Sequence, residues 1–239
     1  MAQPLSRRFF LTLTGTVLGA PSFFVGKDAE VAPMLDHILL GCPELDAGIT
    51  LLRQHTGVDA AFGGVHPGRG TCNALLSLGE RHYLEIIAPD PDQADSSNPL
   101  ALTLHKLSGP RLVGWAAHPG PLAPYAEKLR KEGIVFDGPT PGSRKRPDGR
   151  HLQWEILQLR DDASGLLPFF IEWGADSPHP SSDAPGGLRI VRFELATPTP
   201  EALDKTAALL SLDVTVVKAD KQQIRATLAG PKGQLDLSS

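Results

Sequence analysis

The chain reads as an α+β fold built from repeated modules, and three observations predict it. One apolar strand, one helix and several further strands follow each other in that order three times, in repeats of roughly 50 to 75 residues. The 239 residues are 41% hydrophobic, enough to bury a core and incompatible with wholesale disorder or a fibrous chain. With 24 Gly and 22 Pro, turns are frequent and long helices few.

In the first module, residues 35–41 form a short apolar strand. Residues 46–55 have helical spacing, with Ile49, Leu51 and Leu52 apolar and Gly57 just past the end. A glycine-rich loop over 63–70 leads to strands at 73–78 and 83–88, joined by the turn Gly79-Glu80-Arg81. Residues 90–110 have weak periodicity and read as a linker with a short helix at 100–107. The second module has a strand at 112–117, a helix at 122–131 closed by Gly133, a loop at 138–149, and strands at 152–159 and 167–173. After the break Pro185-Gly186-Gly187 come a strand at 188–195, a helix at 200–210 with Pro200 in its first turn, and strands near 214–217, 223–228 and 234–237.

Paired modules therefore span 33–187, as 33–93 and 110–175, with a third, partial module over 188–239. If the first two are the principal unit, a chain ending before Leu188 keeps its fold; if not, the third shares their core. The third module pairs either within the chain or between copies, the latter giving a homodimer.

Lys plus Arg number 23 against 27 Asp plus Glu, a net charge of −4. Such a chain has no electrostatic footprint for a phosphate backbone, which excludes nucleic acid as a partner. Residues 6–11, Ser-Arg-Arg-Phe-Phe-Leu, precede a moderately apolar run. The Arg7-Arg8 pair ahead of that run resembles a twin-arginine export signal over 1–26, with Gly19-Ala20 as a small-residue processing point. The run is interrupted by Thr12, Thr14 and Thr16, too short and polar for a membrane anchor. The expectation is an exported, periplasmic protein with no membrane span after processing. Cys42 and Cys72 are too few for a disulfide scaffold; they form one disulfide or stay as buried thiols.

A strand–helix–three-strand unit repeated in one chain resembles the vicinal oxygen chelate superfamily, which includes glyoxalase I, extradiol dioxygenases and bleomycin-resistance proteins. Leu35-Asp36-His37-Ile38-Leu39-Leu40-Gly41, the stretch Gly63 to Thr71, Tyr83-Leu84-Glu85-Ile86-Ile87-Ala88-Pro89, Gly138 to Arg144, and Phe169-Phe170-Ile171-Glu172-Trp173-Gly174 are similar to its glyoxalase-like domain family. The resemblance implies βαβββ modules forming cupped mixed sheets. It also implies metal ligands from the first and last strands, here His37, Glu85 and Glu172, with Glu85 or Glu172 doubling as a catalytic proton shuttle. An imidazole and carboxylates suit a divalent ion such as Zn, Fe, Mn or Ni.

Residue by residue, alternation puts His37 and Leu39 on one face, and Tyr83, Glu85 and Ile87 on one face. Glu85, among Leu84, Ile86 and Ile87, needs a partner if buried, either an ion or a metal-free polar network. Matching Leu52-Arg53 to Leu129-Arg130 gives an offset of 77, which sets Gly114 opposite His37, so the second module lacks an opening-strand ligand. His66, Arg69 and Asn73 form a second cluster on or beside the glycine-rich loop, with Arg69 fit to clamp a carboxylate. Arg144, in the basic stretch 142–146, either attracts an anion or sits on a solvated loop; Trp154 is a cavity wall or a core residue. His179, in a Pro-flanked turn, folds over a cavity or stays on the surface. Two functions remain open. One is metal-assisted lyase, isomerase or dioxygenase chemistry on a small molecule; the other is metal-free small-molecule binding, as in resistance proteins.

Overall fold

A computed structural model describes residues 34–93, 96–146, 148–160, 162 and 164–239. The export signal expected over 1–26 lies outside them. The first module is β1 (Leu35–Gly41), α1 (Leu45–Thr56), β2 (Ala61–His66), β3 (Thr71–Gly79) and β4 (His82–Pro89). A connecting helix α2 (Pro99–Leu104) follows, capped by the Asn98 side chain, which accepts from the Leu100 and Ala101 amides. The second module is β5 (Arg111–Ala117), α3 (Leu122–Lys131), β6 (Phe136–Lys145), β7 (His151–Leu159) and β8 (Phe169–Trp173). Helix α1 stops where Gly57 takes φ 80°, a left-handed turn that spares a Cβ clash.

The two modules share one eight-stranded sheet, ordered β2-β3-β4-β1-β5-β8-β7-β6. In each half the opening strand runs parallel to the closing one, with His37 beside Tyr83 and Ala116 beside Phe169. The halves join where β1 meets β5 antiparallel, Ile38 opposite Trp115. The residues read as glycine-rich loops turn out to form the outermost strands, β2 and β6. Glycine and proline suppress the strand signal, yet edges tolerate them because one side of an edge strand forms no ladder. These edges come together. A Cβ built on Gly64 would lie 3.1 Å from the Lys145 carbonyl oxygen, so the sheet curls into a cup closed at β2 and β6.

Alternation gives the cup two faces. Ile38, Leu40, Leu84, Ile86, Trp115 and Phe170 are buried on the convex face among α1 and α3. His37, Tyr83, Glu85, Phe169, Ile171 and Trp173 line the hollow.

The third segment has the expected element sequence: β9 (Arg189–Thr197), α4 (Pro200–Leu209), β10 (Thr215–Lys218), β11 (Gln223–Gly230) and β12 (Gly233–Ser238). Its strand order, β10-β9-β11-β12, is not that of the other two. Here the opening strand runs parallel to the second strand, Leu195 beside Val216, instead of the closing one. This small sheet covers the convex face. Phe193 meets Trp115 edge-on at 5.2 Å, the Tyr125 hydroxyl donates to the Leu210 carbonyl at 2.9 Å, and the Lys232 amide donates to the Thr56 carbonyl at 3.0 Å. Its apolar side chains belong to the same core as those of the first two modules. Within the chain the third segment thus packs onto the first two. Cys42 and Cys72 are free and buried. Among the described residues no helix is long and apolar enough to cross a membrane.

Candidate functional site

The hollow of the cup is a cavity of about 230 Å³. Seven of the residues singled out from sequence line it: His37, His66, Arg69, Asn73, Glu85, Arg144 and Trp154. His37 and Leu39 enter from β1, Tyr83 and Glu85 from β4, Trp154 and Ile156 from β7, and Phe169, Ile171 and Trp173 from β8.

Glu85 is the centre of the polar wall and is 8% exposed. Asn73 Nδ2 donates to its Oε1 at 2.5 Å and to His66 Nε2 at 3.3 Å. That leaves the His66 proton on Nδ1, where it faces Thr71 Oγ1 at 2.8 Å. The Asn73 carbonyl oxygen accepts from Arg144 Nη1. His37 Nε2 lies 3.6 Å from Glu85 Oε2, and His66 Nε2 lies 3.7 Å from Oε1. Burial pushes the Glu85 pKa up, but the two imidazoles, the Asn73 hydrogen bond and the Arg144 charge outweigh it and hold the group below its ordinary value. Glu85 is thus kept ionised. Burial raises the neighbouring Tyr83 phenol well above its ordinary range, so that ring stays neutral.

Arg144 sits at 3% exposure on the inward side of β6, not on a solvated loop. It needs a bare neighbour across the closure. A Cβ on Gly63 would collide with both Arg144 Nη1 and Asn73 Oδ1. The surrounding basic residues are occupied differently: Arg146 and Arg150 pair with Asp183 at 2.7 and 2.6 Å. The basic surface stretch expected from sequence is thereby broken up.

Two expected site residues lie elsewhere. Glu172 points to the convex side of β8, between the cavity residues Ile171 and Trp173. Its Oε2 accepts from the Leu122 amide at 2.7 Å, satisfying the N-terminus of α3, which has no side-chain cap of its own. His179 does not reach the cavity; it sits behind His37. Its Nε2 lies 3.2 Å from Asp36 Oδ2, and Asp36 Oδ1 lies 2.7 Å from His37 Nδ1. Trp173 Nε1 also donates to Asp36 Oδ2, at 3.2 Å. Burial pushes the Asp36 pKa up, but the hydrogen bonds from His179 and His37 outweigh it and hold the carboxyl well below the usual range. An ionised Asp36 only accepts, so His37 Nδ1 donates to it, and the ring is held with Nε2 toward Glu85. Sequence reasoning missed Asp36. Strict alternation sends it away from His37, and a bulge between Leu35 and His37 brings it back. The available signal was one acid in an otherwise apolar strand.

These residues do not form the three-ligand set expected for a resident divalent ion. A catalytic zinc takes about three protein ligands, and the trio His37, Glu85 and Glu172 does not form because Glu172 faces away. The two histidines approach different oxygens of Glu85, and among the described residues no three His, Cys, Asp or Glu side chains are grouped to hold a metal. The second module presents Gly114 and Ala116 opposite Leu39 and His37, and Phe169, Ile171 and Trp173 on β8. None is a metal donor. The buried Arg144 guanidinium already balances the carboxylate.

Burial lowers His66 from its ordinary pKa of 6.5 to about 4, against the raising effect of Glu85. Between those values the unfolded chain binds more protons than the folded one. Stability is therefore fully present above pH 6.5 and falls as pH drops toward 4, by up to roughly 3 kcal/mol from this group. Melting temperatures at pH 7 and 4.5 should show this loss in the wild type and a smaller one in His66→Gln. Equal losses in the two would refute it.

Residues 35–210 match the family described as glyoxalase-like domain. A hypothetical protein from Staphylococcus aureus shares the fold at a TM-score of 0.57 and 15% identity, over 85% of this chain and 84% of its own. Methylmalonyl-CoA epimerase from Mycobacterium tuberculosis aligns at a TM-score of 0.45 and 24% identity, over 59% of this chain and 88% of its own. No curated protein sequence matches significantly. With most of its length matched and two βαβββ modules closing one cupped sheet, the chain belongs to the glyoxalase-like domain family of the vicinal oxygen chelate superfamily.

Proposed function

We propose that this protein is a proton-transfer enzyme, an isomerase or lyase that works on a small carbonyl compound without a metal. The observation that carries the reading is Glu85: a buried carboxylate kept ionised, facing a cavity, with a guanidinium one residue away through Asn73. Glu85 takes a proton from the carbon next to the substrate carbonyl. The C–H electron pair becomes the C=C bond of an enolate as the carbonyl π pair moves onto oxygen, and Arg144 N–H groups meet the developing charge. Returning the proton to another position completes an isomerisation; expelling a leaving group completes an elimination. Water exclusion strengthens the base, because the carboxylate loses solvation when the substrate covers it. His37, its ring held in place by Asp36, sets Nε2 beside Glu85 as a second group able to exchange protons.

The test follows solvent deuterium entering C3 of 2-oxo-4-phenylbutyrate, using protein purified without a metal-affinity tag and dialysed against chelator. Exchange above the buffer rate supports the reading. Exchange that vanishes on chelation and returns with an added divalent ion overturns its metal-free part. A second reading, an ion between His37 and Glu85, has one observation in its favour: the Asp36–His37 hydrogen bond is how proteins orient metal-bound histidines.

We also propose that the protein is exported, on the Arg7-Arg8 signature. Replacing both residues with Lys should leave it in the cytoplasm, checked by cell fractionation. Unchanged export would defeat the twin-arginine assignment.

A further inference from the structure

We infer that the substrate class of this cavity is a small monocarboxylate carrying a flat aromatic body one to three carbons from its carboxylate. The inference rests on the proposed function only in taking the occupant to be the substrate.

The anionic end follows from Arg144. A guanidinium has five N–H donors. One bond goes to Asn73, while Nε is buried with no hydrogen-bond partner among the described residues. Leaving a buried charged donor unmade costs more than leaving out the group altogether, so an acceptor is expected from what the cavity binds. Arg69 lines the same cavity and adds a second cation. Glu85 lies on the same polar wall and is ionised. Its charge disfavours a dianion such as a phosphate monoester, and a single carboxylate matches the fork of Arg144.

The apolar end follows from the wall beside it. The Trp154 ring lies over Gly142, where a Cβ would strike the indole. Gly142 is two residues before Arg144 on the same face of β6, so the ring begins about 7 Å along the strand from the arginine backbone. Trp173 tilts against Trp154 at 5.5 Å, and Phe169, Ile156 and Ile171 complete an apolar slot. Such rings favour offset or edge-on stacking with another ring. A dry cavity of about 150 Å³ admits a benzene ring, and the cavity here is about 230 Å³. A phenyl group with a short acid arm fits both ends.

The test is calorimetric titration of the full chain with phenylacetate, phenylacetamide and acetate, with quenching of tryptophan emission read alongside. Phenylacetate should bind saturably, and the amide and acetate each at least about tenfold more weakly. Arg144→Gln should bring phenylacetate down to the level of the amide, and Trp154→Leu should weaken it about tenfold. Equal binding of acid and amide by the wild type would overturn the inference, as would no saturable binding of phenylacetate. Should Arg144→Gln fail to show a melting transition, the acid-to-amide ratio in the wild type decides. Failure of the proposed function looks different: phenylacetate binds as expected, yet no deuterium enters 2-oxo-4-phenylbutyrate.

Discussion

Glu85→Gln is expected to reduce deuterium exchange into 2-oxo-4-phenylbutyrate by roughly 10²- to 10⁴-fold, the usual contribution of a positioned base. The substitution keeps the shape and an acceptor oxygen for Asn73 Nδ2, which donates to Oε1 at 2.5 Å. It removes the negative charge that holds the proton-accepting role. Binding of an anionic ligand should not suffer, because one charge of the same sign leaves the cavity. The expected pattern is lost exchange with phenylacetate affinity unchanged or improved. Any residual exchange would run through His37, whose Nε2 faces the same space, and Glu85→Gln/His37→Gln should then reach the buffer rate. A single variant that exchanges as fast as wild type would remove Glu85 from the chemistry.

A chain ending at Gly187 is expected to lose cooperative unfolding altogether. The small sheet buries Phe193 against Trp115 and seats Leu195, Leu210 and Leu228 in the core shared with α1 and α3. Each large apolar side chain exposed by the cut costs about 1.5–3 kcal/mol, and a whole domain is stable by only about 5–15 kcal/mol. Exposure of Trp115 and Tyr125, together with loss of the small sheet's own buried side chains from the shared core, takes up most of that margin. Urea titration followed by far-UV and near-UV circular dichroism measures it. A sharp, coincident transition in the truncated chain would show that the paired modules stand alone.

Local chemistry sufficed to locate the helices and the inner strands. Leu52 and Gly57 mark where α1 packs and where it stops. Period-two alternation was enough to put His37 with Leu39 and Glu85 with Tyr83 and Ile87, because side-chain direction in a strand depends only on the strand itself. Local patterning could not say which face would be the inside of a cup. That depends on pairings between residues far apart in sequence. In β8, Ile171 is set opposite Ile156, and this register sends Glu172 to the end of α3. The repeat symmetry that suggested a third ligand was real at the level of elements and failed at the level of one residue's parity. Arg144 shows the same limit from the other side. The stretch around it looks like a loop because Gly138, Pro139, Pro141 and Gly142 carry no strand signal. Only the curl of the sheet, which brings the edge strand β6 against Gly63 of β2, turns that arginine inward. Asp36 reaches His37 through a bulge, and the third sheet takes a strand order of its own although its elements follow in the same sequence. The sequence by itself determined the elements and the residues able to do chemistry. The tertiary structure decided which of them meet, because closure of the sheet and the choice of its inner face are properties of long-range contacts.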